Sequence, residues 1–183
     1  KLAGARTVLV TARHELTPGL EIPAAGNRAP VVITLQRPNR FHAIRPARHN
    51  LRELVFDGET LCLMYPLLGH HAMVPLRART IDAFADEADR RFGFRPPLAE
   101  LFSEDLPRQL FEGAKSARLI PNEPVGWDPC HRIQIGAGDL AGDLWISVKN
   151  RLPRRYRLTF LDRPGRPTWD IHLSRWELNP AID

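Results

Sequence analysis

The residues of this chain whose chemistry could matter are seven histidines, two cysteines, a few serines and a large set of arginines. Their spacing assembles no familiar reactive set. His70 and His71 are adjacent, so in a strand they point to opposite faces and cannot chelate one ion together. Cys130-His131 has the same geometry. Cys62 and Cys130 fit neither a zinc spacing nor a C-x-x-C motif. A site joining both cysteines to a histidine is geometrically possible, but no spacing supports it. Ser103, Ser116, Ser147 and Ser174 lack the G-x-S-x-G elbow that exposes a nucleophile. Neither cysteine sits at a helix N-terminus that would lower its pKa. Gly136-Ala137-Gly138 reads as a turn between strands and not as a phosphate loop. Asp82, Asp86 and Asp89 read as the solvated face of a helix. No catalytic constellation, metal site or cofactor is expected. An enzyme working in an apolar cavity would need a buried ionisable group, for which His131 and Tyr156 are the only nominees.

Charge narrows the partners. The formal charge is +5, and of 26 basic residues only Lys1, Lys115 and Lys149 are lysine. Two readings stand: the codon bias of a GC-rich genome, or affinity for phosphate and carboxylate groups, which arginine grips bidentately. The basic residues are interleaved with acids, and no block resembles a nucleic-acid arm. The densest tract, Arg151-Leu152-Pro153-Arg154-Arg155-Tyr156-Arg157, suits either lipid phosphates or a solvated hairpin end with arginine stems lying on the sheet. No run approaches the 18 apolar residues of a spanning helix. The sequence starts at Lys1, so a missing leader is no argument for the cytoplasm.

The elements that must position these residues are mostly strands. Strand period appears at Thr7–Ala12, Val31–Gln36, Phe41–Arg45, Leu54–Phe56, Thr60–Tyr65 and His71–Val74. Thr17–Pro30 and Pro46–Asn50 are rich in turn formers and read as connections. Asp57-Gly58 predicts a two-residue type I′ hairpin turn. The period then changes. Ile81, Phe84, Ala85, Ala88 and Phe92 fall at helical spacing, with Thr80 as N-cap and Gly93 as stop. Pro97–Phe102 and Leu106–Glu112 predict two further short helices. Strands return at Ala114–Ile120, Cys130–Ile135, Leu140–Val148, Tyr156–Phe160 and Trp169–Trp176. Strands, then short helices, then strands is the pattern of an α+β protein. The expectation is a single domain over residues 1–183, with about ten strands in one strongly curved or partly closed antiparallel sheet and short helices on its concave face.

The alternating strands leave one large apolar face that something must cover. Ile33, Phe56, Leu63, Ile133, Ile135, Leu144, Ile146, Tyr156, Leu158, Phe160, Trp169, Ile171 and Leu173 occupy the positions expected to face the concave side. Either the helices fill that space, or these residues line a pocket for a hydrophobic ligand. A register error of one residue would invert the whole set.

Several short strings carry a family likeness. They are Leu35-Gln36-Arg37-Pro38-Asn39-Arg40, Phe56-Asp57-Gly58-Glu59-Thr60-Leu61, Pro97-Leu98-Ala99-Glu100-Leu101, Cys130-His131, Leu144-Trp145-Ile146, Leu152-Pro153-Arg154-Arg155 and Trp176-Glu177-Leu178-Asn179-Pro180. In this order the chain resembles a bacterial family of predicted periplasmic proteins within the LolA/LolB-like, lipoprotein-carrier superfamily. The resemblance implies an unclosed half-barrel of about eleven strands plugged by helices, and a periplasmic location with the export signal removed or upstream. It also implies an N-terminal helix, of which at most Lys1–Ala5 would remain here. The function implied is non-catalytic binding or carriage of a lipid, acyl chain or other hydrophobic molecule, with a membrane surface or partner protein as further contacts. The alternative is a periplasmic sensor or protein-interaction domain with a filled cavity. Whether Cys62 and Cys130 pair is left open.

Overall fold

A computed structural model describes residues 2–20, 29–46 and 51–182, side chains at 107, 109 and 110 excepted. Eleven strands are present: β1 (Thr7–Leu16), β2 (Val31–Gln36), β3 (Arg40–Arg45), β4 (Arg52–Phe56), β5 (Thr60–Tyr65), β6 (His70–Pro75), β7 (Ser116–Ile120), β8 (Cys130–Ala137), β9 (Leu140–Ser147), β10 (Pro153–Phe160) and β11 (Thr168–Leu178). They lie in one open sheet in the order β6-β5-β4-β3-β2-β1-β11-β10-β9-β8-β7. Every pairing with a described register is antiparallel. β6 and β7 are its two edges, and their side chains are mostly exposed. Between the two runs of strands come α1 (Ile81–Phe92), a 3-10 turn (Ala99–Phe102) and α2 (Leu106–Phe111). The second expected helix is thus only a 3-10 turn, and one helix of three turns carries most of the helical layer. The expected connections at 17–30 and 46–50 lie largely outside the described residues.

The chain divides into two compact units. The first comprises Leu2–Ala12, Ala29–Leu106 and Arg175–Asp183; the second comprises Arg13–Arg28 and Pro107–Ser174. In the first unit, cross-strand pairing places Val8 beside Leu35, Leu35 beside Phe41, Phe41 beside Phe56 and Phe56 beside Leu61. These residues are all buried. α1 lies against them. Thr80 Oγ1 accepts from the Ala83 N–H at 3.1 Å, and Gly93 ends the helix with φ 68, a left-handed conformation that glycine adopts without cost. Ile81, Phe84, Ala85 and Ala88 form its buried stripe. The Phe84 ring stacks on Phe56 with centroids 4.0 Å apart and meets Phe41 at 5.8 Å.

Polar ties fix this helical layer. Arg37 donates to the Phe102 carbonyl at 2.8 Å and Asn39 to the Ala78 carbonyl at 2.9 Å. Asp86 and Asp89 are more than a solvated face: both carboxylates hold Arg95, Asp89 at 3.2 Å. The β4–β5 hairpin also departs from expectation. Its central residues are Gly58 and Glu59, one place later than Asp57-Gly58, because the Asp57 carboxylate caps the turn by accepting from the Glu59 and Thr60 N–H groups. Only the first central residue has positive φ (Gly58, 106°), which is the pattern of a type II′ turn. A Cβ at Gly58 would come within 2.5 Å of the Asn39 amide, so the close approach needs glycine as well.

Candidate ligand-binding face

The second unit carries the larger share of the expected apolar positions. Ile133 pairs with Leu144, Leu144 with Tyr156 and Tyr156 with Ile171. One step along, Ile135 pairs with Gly142, Gly142 with Leu158 and Leu158 with Trp169. Period-two alternation adds Ile146, Phe160 and Leu173 to this face. Ile135, Leu144, Ile171 and Leu173 are buried, whereas Ile133, Ile146, Tyr156, Leu158, Phe160 and Trp169 keep part of their surface. Trp169 satisfies its polar end by donating its indole N–H to His14 Nδ1 at 3.1 Å.

The three remaining residues of the set, Ile33, Phe56 and Leu63, belong to the first unit. Ile33 and Phe56 are fully buried, and the Phe84 ring seals Phe56. Both pack in the core of the first unit, Phe56 against the Phe84 ring of α1. Leu63, between Leu54 and Ala72, is half-buried.

Gly142 is a part of the second unit's face that pattern reading passed over. It is flanked by Ile135 and Leu158, and an added Cβ would sit 3.9 Å from Tyr156 Cε2 and 4.0 Å from Leu158 Cδ2. Without a side chain of its own, it lets the Tyr156 and Leu158 side chains approach the β9 backbone. A lone glycine inside a strand is the sequence signal for such a close approach.

The opposite face of the same strands is charged but satisfied. Trp145 is buried there, with the guanidinium carbons of Arg132, Arg155 and Arg157 at 5.1, 4.8 and 5.9 Å from its ring centre. Asp143 accepts from Arg132 at 2.7 Å, and Glu123 accepts from the same arginine at 3.2 Å. Asp170 accepts from Arg155 at 2.6 Å and Arg157 at 2.9 Å. Arg154 is held by Asp128 at 2.5 Å. The basic tract is therefore largely an internal ion-pair network, with Arg154, Arg155 and Arg157 committed to carboxylates of this chain.

The nominated ionisable residues are not assembled into a reactive set. His131 lies on the apolar face opposite Ile146, with its Nδ1 buried and without a hydrogen-bond partner among the described residues. No group of three metal-ligating side chains is close enough to hold an ion among the described residues. Both cysteines are free thiols, and burial pushes the Cys130 thiol up, away from a reactive thiolate. A shallow hollow of about 300 Å³ opens on the first unit beside Thr34, His42, Glu53 and Val55. Its His42 and Glu53 already bond each other at 2.7 Å.

The family described as predicted periplasmic protein (DUF2092) matches residues 22–183. The chain belongs to this family. The periplasm is accordingly its compartment, and no described helix is long and apolar enough to cross a membrane. Among solved structures the DUF2092 chain is similar to a LolA-superfamily protein of Nitrosomonas europaea, at 12% identity and a TM-score of 0.35, covering 97% of this chain and 87% of that one. It is also similar to Pseudomonas aeruginosa MucB in its complex with MucA, at 14% identity and a TM-score of 0.48, covering 98% of this chain and 55% of that one. A third is an outer-membrane lipoprotein-sorting domain of Vibrio parahaemolyticus, at 7% identity and a TM-score of 0.32, covering 97% and 87% of the two chains. No curated protein matches the sequence.

Proposed function

We propose that this DUF2092 protein is a non-catalytic periplasmic binding protein that holds an acyl chain or similarly apolar molecule on the apolar face of β8–β11. The observation that carries the reading is the unequal cover of the two apolar faces. In the first unit Phe84 stacks directly on the buried Phe56, and of the expected set only Leu63 stays part-exposed. In the second, Ile133, Ile146, Tyr156, Leu158, Phe160 and Trp169 remain part-exposed. Burial of apolar surface yields about 25 cal/mol per Å² without regard to direction, so a flexible hydrocarbon gains by lying there. The few polar groups on this face, His131 and Tyr156, suit orientation of a ligand head more than turnover.

The test is organic extraction of protein purified from a periplasm, followed by mass spectrometry for lipids. Gly142→Leu adds a side chain to the middle of this face, where the nearest atoms of Tyr156 and Leu158 leave ordinary contact distance for its Cβ. Lipid is expected to accompany the wild type in stoichiometric amount and to be depleted in Gly142→Leu, with the thermal transition of the two proteins alike. A wild type free of lipid, or a variant that carries as much, refutes the reading and favours a filled interaction domain.

A further inference from the structure

We propose that the paired turns at Val125–Asp128 and Val148–Arg151 form a docking tip for an anionic phospholipid surface. Trp127 is fully exposed, the most exposed large hydrophobic residue among those described. Scattered surface apolar residues need no special account, but this one is held out by construction. Val125 N–H donates to the Asp128 carbonyl at 3.0 Å and Asp128 N–H to the Val125 carbonyl at 3.2 Å, which closes a two-residue turn. Gly126 supplies the positive φ, 58°, at its first central position. Pro124 and Pro129 restrict the chain on either side. The Asp128 carboxylate then anchors the turn from below, accepting from Ser147 Oγ at 3.0 Å and from Arg154. A rigid turn thus presents the indole to solvent with no packing partner.

The second turn is tied to the first, since Val148 N–H donates to the Pro129 carbonyl at 2.9 Å. It adds an exposed Val148 and two exposed cations, Lys149 and Arg151. Lys149 is near enough to Asp128 to favour its charged form. Arg154 is committed to Asp128 and Arg132 is shared by Asp143 and Glu123, so Lys149 and Arg151 are the exposed cations at this end. An indole and a valine flanked by exposed cations match a bilayer interface: Trp settles at headgroup depth, and Lys and Arg meet lipid phosphates. Charge complementarity selects anionic lipid over a neutral bilayer. This surface is separate from the apolar face of β8–β11, and the inference does not depend on that face binding anything.

The experiment is co-sedimentation of the full chain with vesicles of phosphatidylcholine alone and of an equimolar phosphatidylcholine–phosphatidylglycerol mixture. The wild type is expected to bind the mixed vesicles and to be released by high salt. Trp127→Ser should lower the partition coefficient about tenfold, as expected for loss of one buried aromatic side chain. The double variant Lys149→Ser/Arg151→Ser should lower it about twenty-fivefold, roughly fivefold per charge, on anionic vesicles only. All three side chains are exposed, so unchanged thermal transitions certify the fold. Absence of wild-type binding to anionic vesicles overturns the inference and leaves the tip to a protein partner. Binding by Trp127→Ser equal to wild type overturns it too.

Discussion

Replacing Phe84 with alanine tests whether the first unit's apolar face is a sealed core. Phe84 is fully buried on α1, stacked on Phe56 at 4.0 Å with planes 6° apart, and in contact with Phe41. A Phe→Ala change in a core costs about 3–5 kcal/mol, from lost transfer energy and the cavity left behind. Two features point to the upper half of that range. The aromatic pairing itself is worth roughly 0.5–1.5 kcal/mol beyond area. The site also collapses poorly, because Ile81, Ala85 and Ala88 pin the helix on either side while Arg37 and Asn39 tie down the neighbouring turns. The expected loss is about 4 kcal/mol, a large part of the 5–15 kcal/mol that a domain has in total. Phe84→Leu, which keeps most of the volume, should lose roughly 1.5 kcal/mol. Urea unfolding followed by far-UV circular dichroism measures both through the midpoint at constant slope. A loss below about 1.5 kcal/mol for the alanine variant would refute the reasoning, since it would mean the ring is not packed and the face has room to spare. Lipid content of Phe84→Leu should equal wild type, because the ligand face lies on other strands.

Asp170→Asn removes the carboxylate that holds two half-buried arginines, and should cost about 1–3 kcal/mol after allowance for their partial exposure. Glu87→Gln, at the exposed pair with Arg90, should leave the urea midpoint where it was. The Asp57 carboxyl is held below its ordinary value by the Glu59 and Thr60 backbone donors; Asp128 is too, because Arg154 and Ser147 outweigh its desolvation. A carboxyl depressed on folding stabilises the fold above its unfolded pKa, near 4, and that contribution fades as pH falls through the folded value. The urea midpoint should therefore drop in the acid range, and Asp57→Asn should flatten that dependence; an unchanged slope would exclude Asp57 as a source. In the native protein Cys130, buried with its thiol pKa raised, should react with iodoacetamide far more slowly than the part-exposed Cys62, as read by mass spectrometry. Equal rates would contradict the placement of Cys130.

Local signals were sufficient for the elements. Alternation marks the strands from Val8 to Leu173 because a sheet residue's direction is set by parity alone, and α1 is legible from Thr80 to Gly93 because capping and a 3.6-residue period act within one helix. The same alternation gathers Ile133, Leu144, Tyr156, Leu158 and Ile171 on one face. Turn chemistry already fell short at Asp57-Gly58, where a side-chain cap moved the turn by one residue. Tertiary structure alone decided what covers each face. Ile33 and Phe56 look no different in sequence from Tyr156 and Leu158, yet Ile33 and Phe56 are buried, Phe56 under the Phe84 ring, while Tyr156 and Leu158 stay part-exposed. It likewise decided that Trp145, which parity puts on the opposite face, is buried there, enclosed by arginines from β8 and β10. Burial depends on which residues, distant along the chain, arrive at the same place, and no local pattern records that.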